Sequence, residues 1–490
     1  MNQTGVSMKF YIIVIMSVFA FSGIISGKEK VVLSEEFIKK SIENEPPGVQ
    51  QIQGSFLAVK NELQNKNDRF GYQLNIEGKS FNSDERLLSN FDGGVVKSSS
   101  AYLVGLQKPT QYGVDIGLKA FSNKSTNAFI NDAATTGVSF SLAVDLYQNF
   151  LGRSTSNDFK KSELSLKRAE LEKKTQLKGF ESNVRKLYWA LVANNEQKVL
   201  LSSLVKMAEK QYQEVLKRNK QGVADIGEVA RYRSEWTTRK ANLLSIGYQR
   251  STLLKAIKEL LPGLSDKEIQ LAQLDIKLAK ATVLACTAKI SSYKDSPLEF
   301  TNYDDIINFL NKEEQLESKI VDTYGNTKIK LVGEYSSVGR DYGYEASNSN
   351  FSSDSQPRKS LGLQISIPLG SRTGKNRDVK KLMVKKRYKA QKVSQLLKVK
   401  AYHEQTVEMI TILQEVLRSQ RDTNLSLDKS LKISRIKYKQ ARISLQELIS
   451  EQDFHLRSRL GEIETNLTII NALMDYFSVY TDIPCEFNRI

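Results

Sequence analysis

Few side chains in this 490-residue chain could do chemistry, and they stand far apart. Cys286 and Cys485 are the two cysteines, and His403 and His455 the two histidines. In an oxidising compartment the cysteines either close one disulfide or remain two unrelated buried thiols. The histidines fall on separate helical stretches, and no cluster of His, Cys, Asp or Glu has the spacing of a metal site. No phosphate-cradling glycine loop and no nucleophile elbow is present. The sequence therefore offers no catalytic constellation, no cofactor site and no metal site, and an enzyme is not expected. The remaining polar positions of interest punctuate long regular stretches. Gly222 suits the end of one helix and Asp225 can cap the next. A second tight turn falls at Gln440–Ser444, around Ala441.

The elements that carry these positions are long. The chain has 8 Pro and 27 Gly, and Lys, Glu, Gln, Leu, Ala and Ser fill long stretches without a breaker. That is the composition of long helices rather than of several small globular units. Mean hydropathy is -0.39 and 40% of residues are hydrophobic, so the bulk of the chain has no membrane character. The long apolar run, Phe10 to Ile25, follows Lys9 and precedes Ser26 and Gly27. It is shorter than the ~20 residues of a spanning helix. We read residues 1–27 as a secretory signal peptide, with an anchor helix as the alternative and Met8 as a second candidate start. The net charge of +17 in general suggests nucleic acid or an anionic surface. Here Lys and Arg alternate with Glu along helices, which reads as a solvated helix exterior, and an export signal argues against a nucleic-acid partner.

Residues 31–66 read as helix with a start at Ser34, and Pro46-Pro47-Gly48 break it or divide it into two helices. Residues 70–147 alternate with a period of two in four stretches: 71–78, 102–106, 112–121 and 138–146. These are strand candidates, and their length fits a barrel wall with one face to lipid and one to water. From 155 to 220 the period becomes helical, with one apolar stripe through Val184, Leu187, Leu191, Leu204, Met207 and Val215. A helix of that length spans on the order of 100 Å at 1.5 Å per residue. It needs a coiled-coil partner or a tubular assembly. A return helix at 226–261 makes an antiparallel hairpin and ends at Pro262-Gly263. Lys267–Ser291 reads as partly helical and 302–323 as helix.

The second half repeats the first. Strands are expected at 327–338 and 360–369, separated by an exposed loop from Gly339 to Arg358. A long helix at 377–439, the turn at Ala441 and a return helix at 445–480 follow. Leu142–Leu146 overlays Ile365–Leu369 at an offset of 223, and Gly222 overlays Ala441 at 219. The fold class is thus mainly α with a β-barrel part and two internal repeats, spanning 28–261 and 302–483, with a linker at 262–301 and a tail at 484–490. Each long helix exceeds its return helix, so the helices before the strands should stack end to end with the return helices. Cys286 follows the first such junction and Cys485 the second, which is a reason to consider their pairing.

This pattern resembles the TolC family of outer-membrane efflux and secretion channels. The residues that carry the likeness are Leu361–Leu369, a strand ending in Pro-Leu before the long helix, the turn Tyr438–Leu448, and the turn Gly222–Val229. The resemblance covers about 31–483 and implies a homotrimer in which each chain gives four strands to one barrel in outer-membrane lipid. It implies a helical tunnel through the periplasm, whose tip meets a periplasmic adaptor (membrane fusion) protein and an inner-membrane transporter. It also implies a gate at the tip. Glu228 and Glu447 match the family's acids after the turns, and Tyr438 its tyrosine. Ser450 stands where a further acid is expected, with Glu451 next to it. Ile443 takes the place of a basic residue, with Arg442 before it. Ordinary turn and capping chemistry is the competing reading of these residues. The first half also departs from the family, offering four strands where two are needed.

The function so implied is passive export gated at the periplasmic tip. A periplasmic or surface coiled-coil protein, either an adaptor or an adhesin stalk, is the rival; an adaptor would interrupt one hairpin with a lipoyl-like domain rather than repeat the strand-helix unit. The sequence names neither cargo nor pump class.

Overall fold

The computed structural model describes residues 29–83, 96–127, 130–272, 285–293, 295–323, 327–367 and 373–481. The expected signal peptide, the tail, Cys485, and Pro368-Leu369 of the strand motif lie outside them.

Two helical hairpins dominate. Helix α3 (Arg153–Lys220, 68 residues) returns through α4 (Ile226–Leu260, 35 residues). The chain ends with the same pair again, here α7 (Thr373–Lys439, 67 residues) and α8 (Leu445–Val479, 35 residues). The two turns are built alike. Val223 N donates to Arg218 O at 2.9 Å, and Arg442 N donates to Lys437 O at 2.8 Å. Each closes a Schellman-type end around a left-handed residue, Gly222 at φ +74° and Ala441 at φ +55°. Asp225 and Ser444 then cap the return helices by accepting from the Glu228 and Glu447 amides.

Each return helix reaches only about halfway along its partner. The other half of α3 is covered by α2 (Pro47–Asp68): Lys66 reaches Asp158 at 3.0 Å, and Gly48 leaves room for the Phe180 ring. Helix α5 (Asn302–Asp322) packs between α3 and α7. There Glu313 receives Arg168, and Glu317 receives Lys161, Arg387 and the Tyr388 hydroxyl at 2.7–2.9 Å.

The junction between upper and lower halves is the main core. It gathers Leu33, Ile38, Tyr188, Trp189, Ile257, Leu261, Cys286, Leu473, Tyr476 and Tyr480, all nearly inaccessible. Of the stretch read as helix over 31–66, residues 31–33 belong instead to strand β1 (Lys30–Leu33); the rest is two helices divided at the Pro46-Pro47-Gly48 break, α1 (Glu35–Glu43), capped by Ser34, and α2. Within 267–291, Glu268–Leu271 is strand β6, paired in parallel with β1, while residues 285–291 are helical. Val31 and Leu33 alternate inward, a signal four residues long and too short to separate from the helix that follows.

The remaining strands form one antiparallel sheet of order β2 (Gln73–Asn82), β3 (Val96–Pro109), β4 (Val114–Asn127), β5 (Ala133–Asp145), β7 (Lys328–Tyr342) and β8 (Gln356–Ser366). All four first-half strands join it, and β5 pairs with β7 along their whole length, stitching the halves together. The expected loop from Gly339 to Arg358 is mostly ordered: β7 runs on to Tyr342, and Gly343–Ser353 is helix α6. A Ser- and Asn-rich segment has little intrinsic helicity; packing holds it. Ser347 is fully buried and shares a hydrogen bond with Thr136, and Tyr344 lies on Tyr102. Gly339 permits this contact, because a Cβ there would stand 2.1 Å from the Phe351 amide nitrogen.

Candidate functional site

Two regions could serve a function: the sheet and the helical tip. Side chains alternate across a strand, so the register assigns every residue to a face. One row across the sheet reads Leu74, Leu106, Leu118, Phe140, Tyr335, Lys359. The next reads Ile76, Val104, Ala120, Val138, Ser337, Pro357. Leu142 and Leu361, and Val144 and Leu363, continue the same face toward the helices. These side chains are open to solvent in the single chain: Ile76 is 74% exposed, Leu118 50%, Phe140 47% and Leu361 78%. The opposite face carries Asn75, Lys119, Ser139, Ser336 and Arg358 in one row, and Lys119 pairs with Glu334 at 2.9 Å.

Burying a Leu, Ile or Phe side chain is worth roughly 1.5–3 kcal/mol, so an apolar face of this size leaves tens of kcal/mol unclaimed in water. A soluble monomer does not carry such a patch. A wall between lipid and water does, with apolar residues outward and polar residues inward. Among the described residues no helix is long and apolar enough to cross a membrane. Helix α6 lies over the apolar face at the end of the sheet remote from the long helices, where that face turns to Ser100, Ser122 and Thr136.

At the tip the structure brings Glu228 and Tyr438 together. The Tyr438 hydroxyl donates to Glu228 Oε1 at 2.9 Å, joining the first hairpin to the second. Two residues not singled out by sequence complete the contact. Arg218 Nη1 lies 3.8 Å from the same carboxylate oxygen, and buried Tyr232 adjoins the Tyr438 hydroxyl. Their signal was spacing alone: each is one helical turn from a named position, Arg218 before Gly222 and Tyr232 after Glu228. Burial raises the pKa of both phenols above the usual tyrosine range, so both stay protonated at neutral pH.

The other expected tip residues go elsewhere. Glu447 completes a capping box, its carboxylate accepting from the Ser444 amide at 3.4 Å, and it is exposed. Arg442 is exposed at the end of its turn and Ser450 is half-buried in α8. Glu451 accepts from Ser430 within the second hairpin. Higher up, Arg239 is buried at 2% exposure between Glu235 and Asp453, a second tie between the hairpins. Cys286 is buried and disulfide-bonded; Cys485 lies outside the described residues. Among the described residues no three His, Cys, Asp or Glu gather to hold a metal.

No protein family matches the sequence, and no curated protein matches it. Solved structures do. The CmeC outer membrane channel of Campylobacter jejuni is similar at a TM-score of 0.66 and 11% identity, over 99% of this chain and 95% of that one. The outer membrane protein VceC of Vibrio cholerae is similar at 0.63 and 11%, over 90% and 95%. The MtrE outer membrane channel of Neisseria gonorrhoeae, in its open state, is similar at 0.61 and 12%, over 91% and 88%. At such identities the likeness is one of fold, and it runs nearly end to end.

Proposed function

We propose that this chain, which has the fold of the TolC-like outer-membrane channels, is one subunit of an outer-membrane export duct. Its sheet lies in outer-membrane lipid and its helices extend through the periplasm. The observation that carries this reading is the two-faced sheet: apolar and exposed on one side, polar on the other, and continuous with helices on the order of 100 Å long. Such a sheet cannot rest in lipid with open edges, so the chain works with copies of itself, three as the family resemblance implies. No bond is made or broken. Substrate passes through a water-filled tunnel whose entry is gated at the tip by the contact of Glu228 with Tyr438, backed by Arg218 and Tyr232. Opening separates the two hairpins, driven by a periplasmic adaptor and an inner-membrane transporter that supplies the energy.

The test is direct. Purified from outer membranes in detergent, the mature protein should crosslink as a trimer and conduct ions in a planar bilayer. A compact, water-soluble monomer with no affinity for detergent or lipid overturns the reading.

A further inference from the structure

The sheet order begins with β2 and ends with β8. Both strands are exposed on both faces along their whole length of 10 and 11 residues. The apolar face runs to each edge without a polar margin, through Leu74 and Ile76 on one side and Leu361 and Leu363 on the other. A row of unpaired backbone groups in hydrocarbon costs several kcal/mol per group. The edges therefore need partners that bring matching apolar and polar faces. Because the sheet is antiparallel with six strands, β2 and β8 point in opposite directions. The β8 edge of one copy can thus meet the β2 edge of the next in the same antiparallel pattern.

The apolar belt gives a second, independent sign. On β2 the belt lies in the rows of Phe140 and Val138, through Leu74 and Ile76. On β8 it lies in the rows of Leu142 and Val144, through Leu361 and Leu363, and continues to Ile365. The belt thus slips toward the helix-bearing end by about one residue per strand. A belt level with a membrane, crossing strands 4.8 Å apart that tilt by about 40°, must slip by roughly 1.2 residues per strand. The hairpin β2–β3 lies on this line. It is placed as wall, not as an appendage beside a four-stranded unit.

We propose that each copy contributes six strands to the barrel and that the seam between copies is β2 against β8 of the next copy. This rests on the channel reading above; with three copies it makes a barrel of 18 strands instead of the 12 that four strands per chain would give. Barrel width grows about linearly with strand number, so the wall is about 1.5-fold wider than a 12-stranded one. Selection by cargo size then falls to the helical tip and not to the wall.

The test uses full-length protein in outer membranes, with cysteines placed on the polar face. Asn75→Cys combined with Gly362→Cys or with Gln364→Cys probes the six-strand seam at two registers. Lys119→Cys combined with Gly362→Cys probes the alternative, in which β4 is the edge and each copy gives four strands. On oxidation, one of the Asn75 pairs should yield reducible covalent dimers and trimers, while the Lys119 pair yields none. Crosslinking through Lys119, or an intact membrane trimer that none of the pairs crosslinks, overturns the seam and leaves the channel standing. A soluble monomer that no pair crosslinks overturns the channel reading together with the seam.

Discussion

Tyr438 is a neutral phenol whose donor reaches a carboxylate on the other hairpin. A hydrogen bond to a charged partner is worth about 1.5–3 kcal/mol, which is roughly 10- to 100-fold in the ratio of open to closed tips. Tyr438→Phe combined with Glu228→Gln should therefore raise the open fraction in single-channel recordings, with the trimer intact; unchanged conductance would remove these residues from the gate. Burial first, and then the Glu228 carboxylate, lift the Tyr438 pKa, against the opposing pull of Tyr232. The sign follows: the contact is complete below the ordinary tyrosine value of about 10 and weakens as pH rises from there through the raised folded value. Recordings between pH 7 and 11 should show alkaline opening that the double variant lacks. The second prediction at this scale concerns the turns. Ala441 holds φ +55°, where Gly222 in the first turn holds +74°. An L-residue with a Cβ pays about 1–2 kcal/mol in that region. Ala441→Gly should raise the free energy of unfolding by about 1 kcal/mol, read as a higher unfolding midpoint, and Gly222→Ala should lower it by a similar amount.

Helix α5 is held by charge as well as by apolar packing. Its apolar side, Ile306 and Leu310, packs with Val384 and Tyr388 of α7, while Glu313 and Glu317 face three cationic side chains of α3 and α7. Burial disfavours the Glu317 charge, but hydrogen bonds from Lys161 and Tyr388 and the nearby Arg387 outweigh it and hold the pKa below the usual carboxylate range. A depressed folded pKa means stability that is complete above about pH 4.3 and lost as pH falls through the folded value. Glu317→Gln should cost about 2–3 kcal/mol at neutral pH, since it leaves partly buried cations short of a partner. The gap in thermal unfolding between wild type and variant should begin to close below about pH 4 and shrink further as pH falls; a constant difference down to about pH 3 would show that the loss is one of packing. The pairing of α2 and α5 with the upper halves of the long helices was legible as an arithmetic need, since 68 residues cannot be covered by 35. The short strands β1 and β6 were not, because four residues carry too little alternation to stand out beside a helix.

At the scale of the whole molecule, the two faces of the sheet should respond differently to the same change. Leu118→Arg places a charge on the apolar face and should cost about 2–4 kcal/mol near the middle of the bilayer, seen as a reduced yield of heat-stable trimer in outer membranes. Asn123→Arg, on the polar face of the same strand, should assemble normally and alter ion selectivity. Equal assembly of both variants would mean that the apolar face does not meet lipid.

The sequence by itself determined the large periods. Proline-free stretches wrote the four long helices, zigzag stretches wrote the strands, and their repetition wrote the two halves. Period and punctuation are local properties, set by residues a few positions apart. The residues at Gly222, Asp225, Ala441 and Ser444 could be placed at turns for the same reason, and the resemblance put Glu228, Glu447 and Tyr438 at the tip without saying which of them touch. Only the tertiary structure decided what depends on neighbours distant in sequence. It added the β2–β3 hairpin to the sheet, folded a Ser- and Asn-rich stretch into α6 through the space left by Gly339, and drew Glu447 into a cap. It also completed the tip contact with Arg218 and Tyr232. These outcomes turn on which surfaces meet, and propensity or spacing within one segment does not encode the shape of a surface hundreds of residues away.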